Sequence, residues 1–89
     1  MVVIVKFVGS LRGMAGRGTR TFDFGKSLLL RDAFARMGEE LPKLKPALAG
    51  SRASMLVMVN GKEISILKGM ETVVHDGDEL VLVPVLHGG

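Results

Sequence analysis

The stretch Glu79–Leu86, reading ELVLVPVL, constrains the fold more than any other part of this 89-residue chain. Successive side chains of a strand point to opposite faces, so an alternating strand has one apolar face. This one is apolar on both, which reads as a strand at the centre of a sheet with its neighbours and a covering layer around it. It is also the last strand, because only His87-Gly88-Gly89 follow it. A central strand that ends the fold projects whatever comes next away from the body of the protein.

The remaining segments supply the neighbours. Val2–Val8 is rich in β-branched residues and reads as a strand, with Lys6 turned outward and Val3, Val5 and Phe7 turned to the core. Ser10–Gly18, with its glycines, predicts a loop. Thr19–Phe24 alternates again, placing Phe22 and Phe24 on one side, so the two strands form a hairpin. After Gly25, Ser27 suits a helix N-cap, and Leu30, Ala33, Phe34 and Met37 fall on one face of an amphipathic helix stopped at Gly38. Glu39–Gly50 contains Pro42 and Pro46 and predicts a short irregular helix at best. Met55–Val59 reads as a third strand, Asn60-Gly61 as a hairpin turn, and Lys62–Leu67 as the returning edge strand. Gly69–Asp78 is a connection that ends in the turn Asp76-Gly77-Asp78. Strands before and after a single principal helix give an α+β architecture: one mixed sheet with that helix on one face.

Composition narrows the chemistry. The chain contains no cysteine, which excludes disulfides, a thiol nucleophile and thiolate metal sites. Twelve lysines and arginines against nine carboxylates give a net charge of +3, which suits an acidic partner. The cations are scattered and only four aromatic residues are present, so nucleic acid is not expected as a ligand. No apolar run approaches the roughly 20 residues that cross a bilayer, and nothing resembles a signal peptide, so the expected setting is cytoplasmic and free of the membrane.

Several short motifs carry candidate chemistry. Gly13-x4-Gly18-Thr19 has the spacing of a phosphate loop but lacks its lysine and sits in a hairpin. His75, Asp76 and Asp78 are potential ligands, yet three ligands in one tight turn rarely converge, so no metal site is expected. No serine triad or paired carboxylates are evident, and the chain is not expected to be an enzyme by itself. Gly88-Gly89 is the most informative pair. Two glycines make a thin tail that can thread a narrow channel and expose a terminal carboxylate to a partner's chemistry. The same pair also fits an ordinary frayed terminus. His87 before it is either a solvated spacer or a residue that touches the partner.

Val59-Asn60-Gly61, Asp76-Gly77-Asp78-Glu79-Leu80 and the run of the last strand to Gly88-Gly89 together resemble ubiquitin-like β-grasp proteins of the MoaD/ThiS sulfur-carrier type. The resemblance covers nearly the whole chain, with residues 1–86 as the β-grasp domain and 87–89 as a flexible diglycine tail. Many members end in two prolines, a small residue and diglycine, whereas this chain keeps only Pro84 of that pair.

The resemblance implies that an adenylating enzyme joins the Gly89 carboxylate to AMP at the expense of ATP, and that a sulfur donor then forms a thiocarboxylate. No cofactor is expected on this chain itself. The sulfur would pass to an acceptor such as the large subunit of molybdopterin synthase, to a thiazole precursor or to a tRNA base. The alternative is a modifier joined through Gly89 to lysines of target proteins, and no processing protease is required in either case. A third reading is an interaction module with an inert tail. Alternation places Ile4, Leu56, Met58, Val81 and Val83 on the sheet face opposite the helix as a partner-docking surface, and Met58 sits where the ubiquitin-like pattern has its main recognition hydrophobe.

Overall fold

The computed structural model describes residues 1–50 and 54–85. Ten regular elements follow one another: β1 (Val2–Phe7), α1 (Leu11–Ala15), β2 (Thr19–Asp23), β3 (Leu28–Leu29), α2 (Leu30–Glu40), α3 (Lys45–Ala49), β4 (Met55–Val59), β5 (Lys62–Glu63), β6 (Val73–Val74) and β7 (Glu79–Pro84), with short 3-10 turns between some of them. Five strands form one sheet in the order β2-β1-β7-β4-β5, while β3 and β6 make a separate two-stranded ribbon. β7 is central as expected. It pairs parallel with β1, Val5 opposite Leu80 and Phe7 opposite Leu82, and antiparallel with β4, Val57 opposite Leu82 and Val59 opposite Leu80.

The core forms where apolar alternation meets the helix stripe. Val3, Val5, Phe7, Phe22, Met55, Val57, Val59, Leu80 and Leu82 turn one face of the sheet inward, and Leu30, Ala33, Phe34 and Met37 of α2 close over it. Phe22 and Phe24 stack with centroids 5.8 Å apart. The Arg36 guanidinium lies 5.4 Å from the Phe24 ring centre and its Nη1 donates to the Phe24 carbonyl at 2.7 Å, which clamps α2 to the end of β2.

Four local expectations are corrected. Ser10–Gly18 is not wholly a loop: Leu11–Ala15 is helical, and Leu11 and Ala15, four apart, are buried. Ser27 is not the cap of the main helix. Leu28 and Leu29 stay extended because they pair with Val74 and Val73, and the helix opens at Leu30, whose N–H donates to the Thr72 carbonyl at 2.8 Å. Tertiary pairing thus satisfies a donor that a serine cap would otherwise hold. Gly38 does not stop α2. It is buried in the helix, where a Cβ would come within 3.3 Å of Lys45 Cγ, and the helix runs on to Glu40, shortly before Pro42. The return after Asn60-Gly61 keeps only Lys62–Glu63 as strand, then coils into a 3-10 turn that buries Ile64. Glu39–Gly50 is short and helical, as expected, with Leu44 and Leu48 anchoring it to the core.

The two faces of β7 make a direct comparison possible. Leu82 is fully buried and Val83 only partly so. Leu82→Ala is expected to cost about 2–5 kcal/mol of unfolding free energy in urea titration, and Val83→Ala less than about half of that.

Candidate functional site

The site is built around the two ends of β7. At its start, the motifs 59–61 and 76–80 are bonded to each other. Asn60 and Gly61 have φ of 50° and 80°, the paired positive angles of a tight two-residue hairpin turn, so Asn and Gly are the fitting residues there. This turn presents the Asn60 side chain to the head of β7. Its Nδ2 donates to Asp78 Oδ1 at 2.9 Å, its Oδ1 accepts from the Glu79 N–H at 2.9 Å, and its backbone N–H donates to the Glu79 carbonyl at 2.8 Å. Asp78 Oδ2 accepts from the His75 N–H at 2.8 Å, and Asp76 Oδ1 accepts from the Val2 N–H. The Gly77 N–H donates to the Val2 carbonyl, also at 2.8 Å. The carboxylates of the Asp-Gly-Asp turn are therefore occupied by backbone N–H groups and by the Asn60 side chain, which ties β1, β4 and β7 into register. Gly13 lies within α1 and Thr19 opens β2 beside Lys6, so the phosphate-loop spacing spans a helix and a strand edge rather than a cradle.

The outer face of the sheet carries the five expected docking residues, all partly exposed. Met58 lies directly opposite Val81, and Leu56 opposite Val83, so four of them form one apolar block across β4 and β7. Ile4 stands apart. Its cross-strand neighbours are Thr21 and Glu79, and Lys6 Nζ lies 3.4 Å from Glu79 Oε2 beside it. Glu63 borders the block opposite Met58. The Ser65 hydroxyl and backbone N–H both donate to its carboxylate, and these bonds hold the carboxyl below the usual glutamate range.

At its far end β7 stops at Pro84, and the Val85 N–H donates to the Ser54 carbonyl at 3.0 Å. Gly9, in the left-handed region at φ 60°, lies against Pro84, where a Cβ would come within 3.3 Å of Cγ. The chain after β1 is thus packed against the last turn of the strand. Leu86, His87, Gly88 and Gly89, with the diglycine expected to be the reactive end, lie outside the described residues.

Two shallow clefts flank the fold. One, of about 380 Å³, lies between α2 and α3 and is lined by Phe34, Leu48 and Met70, with Arg31, Glu39 and Lys45 among its charged groups. The other, of about 410 Å³, lies beside Val85 and is lined by Leu56, Ile64 and Met70, with Glu63 and Ser65 bonded to each other. Among the described residues, no helix is long and apolar enough to cross a membrane.

A mixed five-stranded sheet grasping one long helix, with the last strand at its centre, defines a ubiquitin-like β-grasp protein. The model of the ThiS family matches residues 5–89, and the chain belongs to that family. Among solved structures, it is similar to small archaeal modifier protein 1 of Methanosarcina acetivorans, with 28% identity, coverage of 99% of this chain and 96% of that one, and a TM-score of 0.80. A putative molybdopterin converting factor subunit 1 from Pyrococcus furiosus matches at 20% identity, 97% and 99% coverage and a TM-score of 0.79. The BexX/CysO complex of Amycolatopsis orientalis contains a chain that matches at 24% identity, 98% and 99% coverage and a TM-score of 0.76. At these last two identities the likeness is one of fold. No curated protein matches by sequence.

Removing the Ser65 hydroxyl tests the electrostatics at the edge of the apolar block. In Ser65→Ala the Glu63 carboxyl should titrate closer to the ordinary glutamate range, followed by carboxyl NMR chemical shift against pH. The depressed native pKa stabilises the fold above the ordinary range, and that contribution is lost as pH falls through the native value. Stability differences between Ser65→Ala and wild type should therefore shrink toward the acid end of the titration.

Proposed function

We propose that this chain is a sulfur carrier whose Gly89 carboxylate is first adenylated by a partner enzyme at the expense of ATP and then converted to a thiocarboxylate. The observation that carries this reading is that the family match runs to Gly89, on a fold whose central strand leads directly to that tail. Adenylation replaces a poor leaving group with a good one. In this first step the Gly89 carboxylate attacks the α-phosphorus of ATP and pyrophosphate leaves. Attack by hydrosulfide, delivered by the sulfur donor, on the acyl carbon then forms the C–S bond as the C–O bond to AMP breaks, and loss of the thiol proton leaves the thiocarboxylate. No side chain of this protein is needed as base or nucleophile in either step. Its role is to present a slender diglycine to a channel, with His87 as the spacer, while the block of Leu56, Met58, Val81 and Val83, with Ile4 at its margin, gives the partner an apolar footing.

The acceptor is of the kind met in molybdopterin-type cofactor synthesis or tRNA thiolation, delivered in the cytoplasm. The likeness to a molybdopterin converting factor subunit and to a chain crystallised with BexX supports a carrier that docks on larger enzymes. Conjugation through Gly89 to lysines of target proteins is the second reading, favoured by the likeness to a small archaeal modifier. Both share the activated glycine and differ in the nucleophile that takes it.

The absence of cysteine makes the test direct. Protein purified from its own host and treated with a thiol-alkylating reagent is expected to carry the label on its C-terminal peptide, read by tandem mass spectrometry. Deleting Gly89 should abolish both the label and sulfur transfer. An unlabelled terminus, together with the C-terminal peptide of residues 69–89 found joined through Gly89 to lysines of other proteins, would favour the modifier instead.

A further inference from the structure

The charges of this protein are sorted along the sheet. No aspartate or glutamate occurs in residues 1–22 or in 80–89, the two segments whose strands run side by side towards the tail. At the opposite end Asp23 pairs with the amino terminus, and Asp76, Asp78 and Glu79 bond to or face the first residues of β1 and the hairpin turn, while Glu63 of β5 lies across the sheet in the cleft beside Val85.

Arg12 and Arg17 lie on the segment that joins β1 to β2, at the end of the sheet where β7 stops, and Arg20, opposite Val5 and so level with Leu80, reaches back to that segment through its side chain. The Arg12 N–H donates to the carbonyl of Gly9, the residue packed on Pro84, and α1 itself packs against β7. The Arg12 guanidinium rests on the backbone at Gly18, where a Cβ would approach its Cζ to 3.2 Å. Arg20 Nη1 donates to the Ala15 carbonyl at 3.0 Å, and Arg17 and Arg20 flank a polar depression with Thr19 and Thr21. Among the described residues none of the three arginines makes a salt bridge of 4.0 Å or less with a carboxylate. Lys43 stands in the 3-10 turn that packs against α1 and adds to the same sign of charge. Like charges held close together without counter-charges repel each other, so an acidic surface set against them is favourable.

We propose that Arg12, Arg17 and Arg20 form a cationic collar beside the tail exit that docks on an acidic rim around the channel of the enzyme that activates Gly89. The inference rests on the carrier reading above and adds the charge of the partner surface. The guanidiniums are suited to bidentate pairing with carboxylates, and two of them are held by contacts within the loop. Such a collar draws the tail towards the channel before the apolar block makes contact, so its effect falls on association and fades with salt.

The test compares two double charge reversals of equal size. Arg12→Glu/Arg17→Glu alters the collar but spares Arg20, which supports α1. Lys26→Glu/Lys62→Glu makes the same change away from the collar, and circular dichroism checks that both variants fold. Binding to the host's purified adenylating enzyme is followed by stopped flow, and adenylation by pyrophosphate release. The collar variant is expected to lose about tenfold or more in association rate and to raise KM in proportion at low salt, with kcat unchanged and the difference shrinking as salt rises. The control variant should stay within about threefold of wild type. Equal behaviour of the two variants overturns the collar while leaving the carrier reading intact. A wild-type chain that the enzyme neither binds nor adenylates overturns the carrier reading and the collar with it. Binding of a single-stranded RNA probe at physiological salt, lost in the collar variant while enzyme binding persists, also overturns the acidic-rim partner and assigns the arginines to nucleic acid.

Discussion

The placement of β7 between β1 and β4 is the constraint on which the rest of the structure depends. A strand hydrogen-bonded on both edges and buried on one face by α2 has little freedom to slip. A shift of one residue would exchange Leu80 and Leu82 for Val81 and Val83 in the core. The register is fixed at its head by Asn60, Asp76 and Asp78, whose bonds run between the ends of β1, β4 and β7. Once it is fixed, both the composition of the outer face and the point where the tail leaves are determined. The motifs that carry the family resemblance therefore act at a distance from the tail. They set the strand that delivers it.

The parts of this arrangement legible in the sequence are those governed by period. Alternation in Val2–Phe7, in Met55–Val59 and through β7 gave the inward residues correctly, and the spacing of Leu30, Ala33, Phe34 and Met37 gave the buried stripe of α2. The Asn60-Gly61 turn was legible because two successive positive φ angles strongly favour those residue types. The outer-face residues followed from the same alternation. Their division did not, since only the pairing register shows that Met58 meets Val81 while Ile4 meets Glu79.

What escaped the sequence was decided by contacts between distant segments. The ribbon of Leu28–Leu29 with Val73–Val74 is two residues long on each side, too short for any period to register, and it displaced the start of α2 from the serine that looked like its cap. α1 spans five residues and contains Gly13, so its helicity depends on burying Leu11 and Ala15 rather than on local propensity. Gly38 looked like a stop but serves as a place of close approach for Lys45. The cationic cluster escaped for the same reason. Its arginines lie close together in the sequence, between residues 12 and 20, but only the fold shows that none of them meets a carboxylate among the described residues.

A core of this size holds one strand firmly and leaves shallow clefts, so under the carrier reading the catalytic groups belong to the partners and this chain contributes recognition. The two surfaces available for that purpose act over different distances. The apolar block of Leu56, Met58, Val81 and Val83 gains energy only when water is expelled from it, hence only at contact. The arginines near the exit act across roughly a Debye length, about 8 Å at physiological salt. A tail made of glycine has no side chain by which its own approach can be guided. Placing long-range attraction at the root of the tail, and short-range adhesion further along the same sheet, orients the molecule first and fixes it second, which is the order that inserting a thin terminus into a narrow channel requires.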